Sequence, residues 1–498
     1  MSQPDLQSTL PVAETFLAEY LEYYRMLPLE QDAGVLRVAV AGEPHGEAID
    51  DLRTSYGAEV EIVPVSEEVL RDAIRRTYAS SESVLELVRG LGAESQAAVD
   101  GQDDALTDAR DLANQPPVIR FVNLLIREAY DAAASDIHLE ATREGLRVRL
   151  RVDGVLTELP SPPKSLQAAI VSRVKLLAEL DIAERRAPQD GRIRVRLETR
   201  ELDLRVSTVP TLYGESVVLR LLDRGGRPTS LDELGMGVEI LERFRQLAER
   251  PHGILLATGP TGSGKTTTLY AALGLRHPER EKIITVEDPV EYHLDGITQV
   301  PVHAKAGVTF AAALRSILRQ DPDVLMVGEM RDGETAAIAV QAAMTGHLVF
   351  STLHTNDAVS ALTRLVDLKV EPYMIAATVE GILAQRLVRR VCPECRERYR
   401  PDPGSVALLA GKPIGQVVLE RGRGCTHCRG TGYRGRTGIY ELLGMTDELR
   451  ELLLAQPNLV ALRALARSQG MATLRQDGWS KVQAGMTTVE EVLRVVQD

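Results

Sequence analysis

Gly259-Pro260-Thr261-Gly262-Ser263-Gly264-Lys265-Thr266 follows the apolar run Ile254–Ala257 and precedes a helix-forming stretch that begins near Gly264. The octapeptide satisfies G-x-x-x-x-G-K-[ST] in full, with the strand before it and the helix after it that such a loop needs. Glycines let successive backbone N–H groups converge on phosphate oxygens, and the helix N-terminus adds positive potential. In that chemistry Lys265 reaches the β- and γ-phosphates, Thr266 ligates Mg²⁺ through its hydroxyl, and the residues from Gly259 to Thr267 line the nucleotide. A glycine-rich turn that merely caps a helix is the competing reading, and the flanking strand and helix count against it.

Outward from this loop, between Leu231 and about Arg390, short apolar runs alternate with helical stretches: Ile254–Ala257, Ile283–Val286, Val324–Val327 and Leu348–Thr352. The alternation predicts an α/β domain whose parallel sheet is covered on both faces. The second run delivers Glu287-Asp288-Pro289-Val290-Glu291, and the third delivers Gly328-Glu329. Ligands meet the carboxyl ends of such strands, so these acids are expected to converge on the loop carrying Lys265. One acid can orient an attacking water while another holds the magnesium shell; taken one at a time, acidic strand ends are more often solvated caps.

At 498 residues the chain is too long for one ordinary core and is read as modules. Residues 1–91 form an N-terminal α/β domain, with a helix-period stretch over Phe16–Met26, strands at Leu36–Ala41 and Val60–Val65, and a helical segment over Glu67–Val88. Residues 92–117 are a linker poor in large apolar side chains and closed by Pro116-Pro117. A second small α/β domain spans 118–227, the nucleotide-binding core 228–390, a tetracysteine motif 391–432 and a C-terminal helical subdomain 433–498.

The net charge of -13 is concentrated at one end: residues 1–115 carry 23 Asp and Glu against 8 Arg and no Lys. The acidic balance and an aromatic content of 4% count against a nucleic-acid translocase, which needs concentrated positive charge and stacking platforms. No apolar run approaches the ~20 residues that span a bilayer, and the N-terminus lacks a basic region followed by an apolar stretch, so a cytosolic protein is expected.

All four cysteines fall in two C-x-x-C pairs, Cys392/Cys395 and Cys425/Cys428. In a reducing compartment four thiolates favour a closed tetrahedral Zn²⁺ site over disulfides, with a redox pair as the alternative. His427 between them is read as a bystander. The neighbouring Arg386, Arg389, Arg390, Arg396, Arg398 and Arg400 form a basic cluster that suits an anionic lipid or an acidic partner, or else is a solvated face. Transfer of a γ-phosphoryl group also calls for a guanidinium. Arg205 lies opposite Leu202, Leu204 and Val206 by strand alternation, and Arg220 follows Val217-Val218-Leu219.

Together, Thr258–Thr267, TVEDPVEY at 285–292, LRSILRQDPDVLMVGEMRD at 314–332 and TGHLVFSTLHTNDA at 345–358 resemble the Walker A, Asp box, Walker B and His box of secretion and pilus ATPases. The resemblance extends upstream to ASDIHLE at 134–140, LDIAERR at 180–186 and PQDGR at 188–192, and downstream through the cysteines. It covers about residues 112–498. It implies a RecA-like P-loop NTPase domain preceded by smaller α/β domains and carrying a zinc knuckle. It also implies a hexameric ATPase that uses ATP and Mg²⁺ to power pseudopilus assembly in type II secretion, peripheral to the inner face of the inner membrane. A type IV pilus extension ATPase shares the same motifs, and an ATP-binding regulator without turnover is made less attractive by Glu287 and Glu329.

By the same resemblance Glu287 polarises the attacking water and Glu329 helps hold Mg²⁺. Arg205 and Arg220 act as arginine fingers, as do Arg315 and Arg331 beside the Walker B strand. Glu291, His347 and His354 are sensors. Outside the resemblance, the apolar stripe over Phe16–Met26 either fills the core of the N-terminal domain or lets that domain dock a membrane-anchored platform protein.

Overall fold

The computed structural model describes residues 21, 23–32, 34–42, 44–67, 69, 70, 73, 88, 113–197, 200–223, 229–455 and 458–496. These belong to two compact units, residues 1–223 and 224–498. Most of the helices expected over Phe16–Met26 and Glu67–Val88, and of the linker over 92–117, lie outside the described residues.

Among the described residues the first unit holds two sheets. In the smaller, β1 (Met26–Asp32) pairs antiparallel with β2 (Val35–Val40), and β2 pairs parallel with β3 (Glu59–Pro64) across α1 (Gly46–Tyr56). Leu27, Leu36, Val38 and Leu52 form its core. β2 and β3 each begin one residue before the expected strands. β1 starts at Met26, where the helical reading ended.

The larger sheet is wholly antiparallel. It comprises β4 (Ala134–Ala141), β5 (Leu146–Val152), β6 (Val155–Leu159), β7 (Gln189–Leu197), β8 (Arg200–Thr211) and β9 (Gly214–Asp223), in the order β6-β5-β4-β9-β8-β7. Strict alternation sorts its faces: Leu146, Val148 and Leu150 enter a core shared with α2 (Pro116–Asp131) and α3 (Gln167–Leu177), and Arg147, Arg149 and Arg151 point the other way. Pro116-Pro117 opens α2, where a missing N–H costs nothing.

The second unit is built on one seven-stranded sheet. Its strands are β10 (Gly253–Thr258), β11 (Ile283–Glu287), β12 (Thr298–Pro301), β13 (Val324–Val327), β14 (Leu348–Leu353), β15 (Val379–Val391) and, past the cysteines, Tyr433–Gly444. The order is β12-β11-β13-β14-β10-β15 with the 433–444 strand at the far edge; that strand is antiparallel and the others are parallel. Strand residues alternate between two cores: Ile254 and Leu256 face one, Leu255 and Ala257 the other. Helices α4 (Val238–Ala248) and α5 (Lys265–Leu273) cover the second face. The first is covered by α6 (Phe310–Ile317), α7 (Gly333–Met344), α8 (Ala358–Asp367) and α9 (Pro372–Thr378). Burial on both faces explains why the parallel strands read as unbroken apolar runs.

The cysteine-bearing segment leaves at the end of β15 and carries a two-stranded ribbon, β16 (Arg396–Tyr399) with β17 (Leu419–Gly422), around α10 (Pro403–Ala410). It returns as β18 (Tyr433–Gly444), with Val391 and Tyr433 as register partners. Residues 433–444, expected to open the helical subdomain, are therefore the edge strand of the core sheet. Helices α11 (Asp447–Ala455), α12 (Leu459–Ser468), α13 (Leu474–Gln483) and α14 (Val489–Val495) then pack on its first face. Among the described residues no helix is long and apolar enough to cross a membrane.

Candidate nucleotide site and metal centre

The carboxyl ends of β10, β11, β13 and β14 bring the expected motifs to one edge of the sheet. At the end of β10 the loop turns through left-handed Gly262 and Gly264, at φ 76° and 89°, into α5. Two of its glycines are also demanded by packing. A Cβ on Gly259 would lie 2.5 Å from the Gln385 carbonyl oxygen, and one on Gly264 would lie 2.7 Å from Gln385 Nε2. Gln385, on β15, is buried and accepts from Thr268 Oγ1 at 2.7 Å, so it braces the loop from behind. Nothing in the local sequence marks it.

Lys265 Nζ donates to the carbonyls of Gly259 at 2.8 Å and Pro260 at 3.0 Å. Burial lowers its pKa to about 8, Glu329 opposes that shift, and Arg386 adds to it. A half-dehydrated ammonium of this kind has much to gain from a polyphosphate. Thr266 and Thr267 open α5 beside it and are half-buried, while Pro260 and Thr261 are exposed.

Of the acids, Glu329 lies where its charge acts on Lys265. Its carboxylate accepts from Arg331 Nη2 at 2.6 Å and lies 3.3 Å from His354 Nε2. Arg331 and His354 thus meet Glu329 as one cluster, whereas Arg315 on α6 pairs with Glu334 at 2.5 Å.

Two expectations change. Glu287, expected to polarise water, is 2% exposed and its carboxylate is already engaged. Tyr270 Oη donates to one of its oxygens; the other accepts from Thr285 Oγ1 at 2.5 Å and Gln299 Nε2 at 3.2 Å. As the last residue of β11 it shares strand parity with Ile283 and faces α5, and the exposed acids of the same segment are Asp288 and Glu291. His347, expected as a sensor, precedes β14 and hydrogen-bonds the Ala342 carbonyl at 2.8 Å at the end of α7. The six residues of β14 separate it from His354 by about 23 Å at ~3.3 Å per residue step.

In the first unit, strand register places five side chains on one rung: Arg151 on β5, Asp136 on β4, Arg220 on β9, Arg205 on β8 and Arg192 on β7. Asp136 accepts from Arg220 Nε at 2.9 Å and lies 3.8 Å from Arg151 Nε. Like charges directly opposite one another are destabilising. A rung with four guanidinium groups and one carboxylate breaks that rule, as functional sites do when they are built to meet an anion. Arg205 and Arg220 are the two the sequence singles out by number; Asp136 and Arg192 lie in the stretches 134–140 and 188–192 that carry the resemblance, and Arg151 joins them only through register.

The four cysteine sulfurs lie within 4.8 Å of one another, with Cys392–Cys425 at 3.9 Å, Cys395–Cys428 at 3.8 Å and Cys425–Cys428 at 3.7 Å. A zinc ion at ~2.3 Å from four tetrahedral thiolates sets sulfurs about 3.8 Å apart, so the donor set fits. The N–H groups of Gly424, Cys425 and Gly432 donate to sulfur at 3.3, 3.1 and 3.2 Å, which suits thiolates. The basic cluster beside it is partly internal. Arg386 is buried against the Asn356 carbonyl at 2.8 Å, Arg389 bonds Glu491 at 2.6 Å, and Arg396 pairs with Glu420 at 3.0 Å. Arg390, Arg398 and Arg400 are exposed. Elemental analysis of the purified chain is expected to find about one zinc per protomer, and Cys392→Ser to lower that content and speed amide exchange over 390–430. Four titratable thiols in a metal-free native protein would refute the site.

Residues 111–494 match the family described as Type II/IV secretion system protein, and residues 1–84 match the MshEN domain. The chain is 47% identical to Type II secretion system protein E of Xanthomonas campestris pv. campestris, over 98% of its own length and 86% of that protein. It is 42% identical to the Type IV pilus assembly ATPase PilB of Myxococcus xanthus, over 99% of its length and 86% of that protein. Among solved structures, the pilus retraction motor PilT with bound ADP aligns over 75% of this chain and 96% of its own, at 28% identity and a TM-score of 0.50.

Proposed function

The chain belongs to the Type II/IV secretion system protein family and is an ATP-hydrolysing enzyme, and on that premise we propose that it powers pseudopilus assembly and protein export through a type II secretion system. The observation that carries the proposal is a complete phosphate loop whose Lys265 sits in the field of Glu329, in a chain matched by that family from residue 111 to 494. The type II assignment over pilus extension is supported by the higher identity to protein E than to PilB.

In the proposed mechanism the loop from Gly259 to Thr267 cradles the phosphates. Lys265 exchanges its two carbonyl partners for phosphate oxygens, and Thr266 and Glu329 would hold the Mg²⁺ shell. Magnesium, when bound, would supply neutralisation of the phosphate charge. Glu291, exposed where Glu287 is not, orients the attacking water. Glu287 anchors the strand end. Arg331 and His354 read the state of Glu329, and Arg205 and Arg220 supply the guanidinium charge that the transferred phosphoryl group requires. The tetracysteine motif holds zinc structurally, since four thiolates leave no position for water. The protein works as a hexamer, docks a membrane-anchored platform protein through its N-terminal domain, and lies at the inner face of the inner membrane. Exposed Arg390, Arg398 and Arg400 suit contact with anionic lipid there.

Magnesium-dependent phosphate release by a species of hexameric mass is the expected behaviour in vitro. In cells, deletion of residues 1–90 is expected to leave ATPase activity but abolish membrane recruitment and export. A deletion variant that still reaches the membrane and supports export would remove the docking role, and a chain that binds ATP without releasing phosphate would remove the motor.

A further inference from the structure

Tyr270 lies five residues beyond Lys265 on α5, with its ring buried. Its hydroxyl is used in every direction open to it. It donates to Glu287 and accepts, at 3.4 Å each, from the backbone N–H of Glu291 and from Gln299 Nε2. The ring stands edge-on to Tyr292, with centroids 4.7 Å apart. Gln299 doubles the tie: it also donates to Glu287 at 3.2 Å and to the Tyr292 carbonyl at 3.1 Å, and its Oε1 accepts from the Leu294 N–H at 2.8 Å. The phenol on the phosphate-loop helix therefore ties the acidic segment at Glu287 and Glu291, and Gln299 extends the tie to Leu294. Burial first, and the Glu287 carboxylate second, push the phenol well above its ordinary pKa, so it remains a neutral donor throughout the working pH range.

The geometry points to Tyr270 as a positioning residue for ATP hydrolysis: through Glu287 and the Glu291 N–H it sets the acidic segment against the helix that begins at Lys265. This rests on the reading of Glu291 as the water-orienting acid. A hydrolytic site needs its nucleophile-orienting carboxylate at a fixed offset from the cation that holds the phosphates, because misplacement of about 1 Å costs about a hundredfold in rate. Glu291 is exposed and follows a non-helical segment, so its own environment does little to fix it. Tyr270 supplies that constraint, and it does so from the same helix that carries Lys265 and Thr266.

The test is Tyr270→Phe in the full-length chain, which keeps the ring and its contact with Tyr292 but removes the hydroxyl. The expected result is a kcat lower by roughly 20- to 100-fold with the KM for ATP within about twofold, together with faster amide exchange confined to residues 288–294. Combined with Glu291→Gln, it is expected to cost little beyond the Glu291→Gln variant alone, because both changes disable the same element. Gln299→Leu, at a half-buried position, cuts the second tie and is expected to shift kcat and exchange in the same direction by a smaller factor. If both variants keep native kcat and native exchange over 288–294, or lose only thermal stability, the positioning role is wrong. If Glu291→Gln turns over at the native rate, the reading of Glu291 fails on its own. Tyr270 is then judged by the exchange of 288–294 and by its own kcat.

Discussion

Lys265→Ala is expected to abolish measurable ATP hydrolysis, a loss of at least a thousandfold, in a protein that remains folded. Folding tolerates the change because the Lys265 ammonium is already poorly solvated, with a pKa lowered to about 8, and it donates to two carbonyls of its own loop. Alanine is also the best helix former for the first position of α5. Hydrolysis does not tolerate it, because no other residue of the loop carries a positive charge to bridge the β- and γ-phosphates. Phosphate release measured beside the melting temperature and oligomer mass decides the matter. A variant that melts normally and hydrolyses normally would remove the central assignment, and one that fails to fold would show that Lys265 holds the loop together.

The second large effect concerns the arginine rung. Arg205→Gln keeps most of the aliphatic stem and removes the charge; kcat is expected to fall roughly a thousandfold, as for loss of an arginine finger. Arg205 stands between Arg192 and Arg220, so the substitution also relieves two like-charge neighbours. Arg220→Gln should behave differently. Asp136 is buried and bonds Arg220 at 2.9 Å, so that variant is expected to lose melting temperature as well as activity. An Arg220→Gln variant that melts as the native protein does would contradict the rung as described. Rings mixing Lys265→Ala and Arg205→Gln subunits then ask whose loop Arg205 serves. We expect activity near the sum of the two variants, because a same-chain arginine leaves every site incomplete. Clear recovery on mixing, once subunit exchange is verified, would show that the arginine serves a neighbouring subunit.

The parts legible from the sequence share a physical cause. β10, β11, β13 and β14 fall within a residue or so of the expected runs because strands buried on both faces must be apolar throughout. The phosphate loop is legible because its glycines have no substitute. β15 is illegible for the opposite reason. Val379, Ile382, Leu383, Leu387 and Val388 recur at helical spacing, yet the segment is extended because β10 and β18 flank it and bury it. Gln385 is missed with it. The misplaced residues could have been sorted by strand logic. Parity places Glu287 with Ile283 on the α5 side, and the rule that ligands gather at carboxyl ends excludes His347, which precedes β14, while admitting His354, which follows it. Register between β7, β8, β9, β4 and β5 is a tertiary property, and so the rung around Arg205 could not be read in advance.

The excursion from Val391 to Tyr433 bears on the order in which the chain assembles. β18 can join β15 only after 41 intervening residues, 392–432, have been brought back to their starting rung. Closing a loop of that length costs about 4 kcal/mol in chain entropy. Without metal, the ladder between β15 and β18 has to meet that cost before its first pair forms. A cation that ties Cys392 and Cys395 to Cys425 and Cys428 meets it beforehand, and the last strand then zips onto the sheet as a local event. Filled in this way, the knuckle would serve as a folding clamp. In metal-depleted refolding, the edge strand at 433–444 should acquire exchange protection late, after the parallel strands of the same sheet.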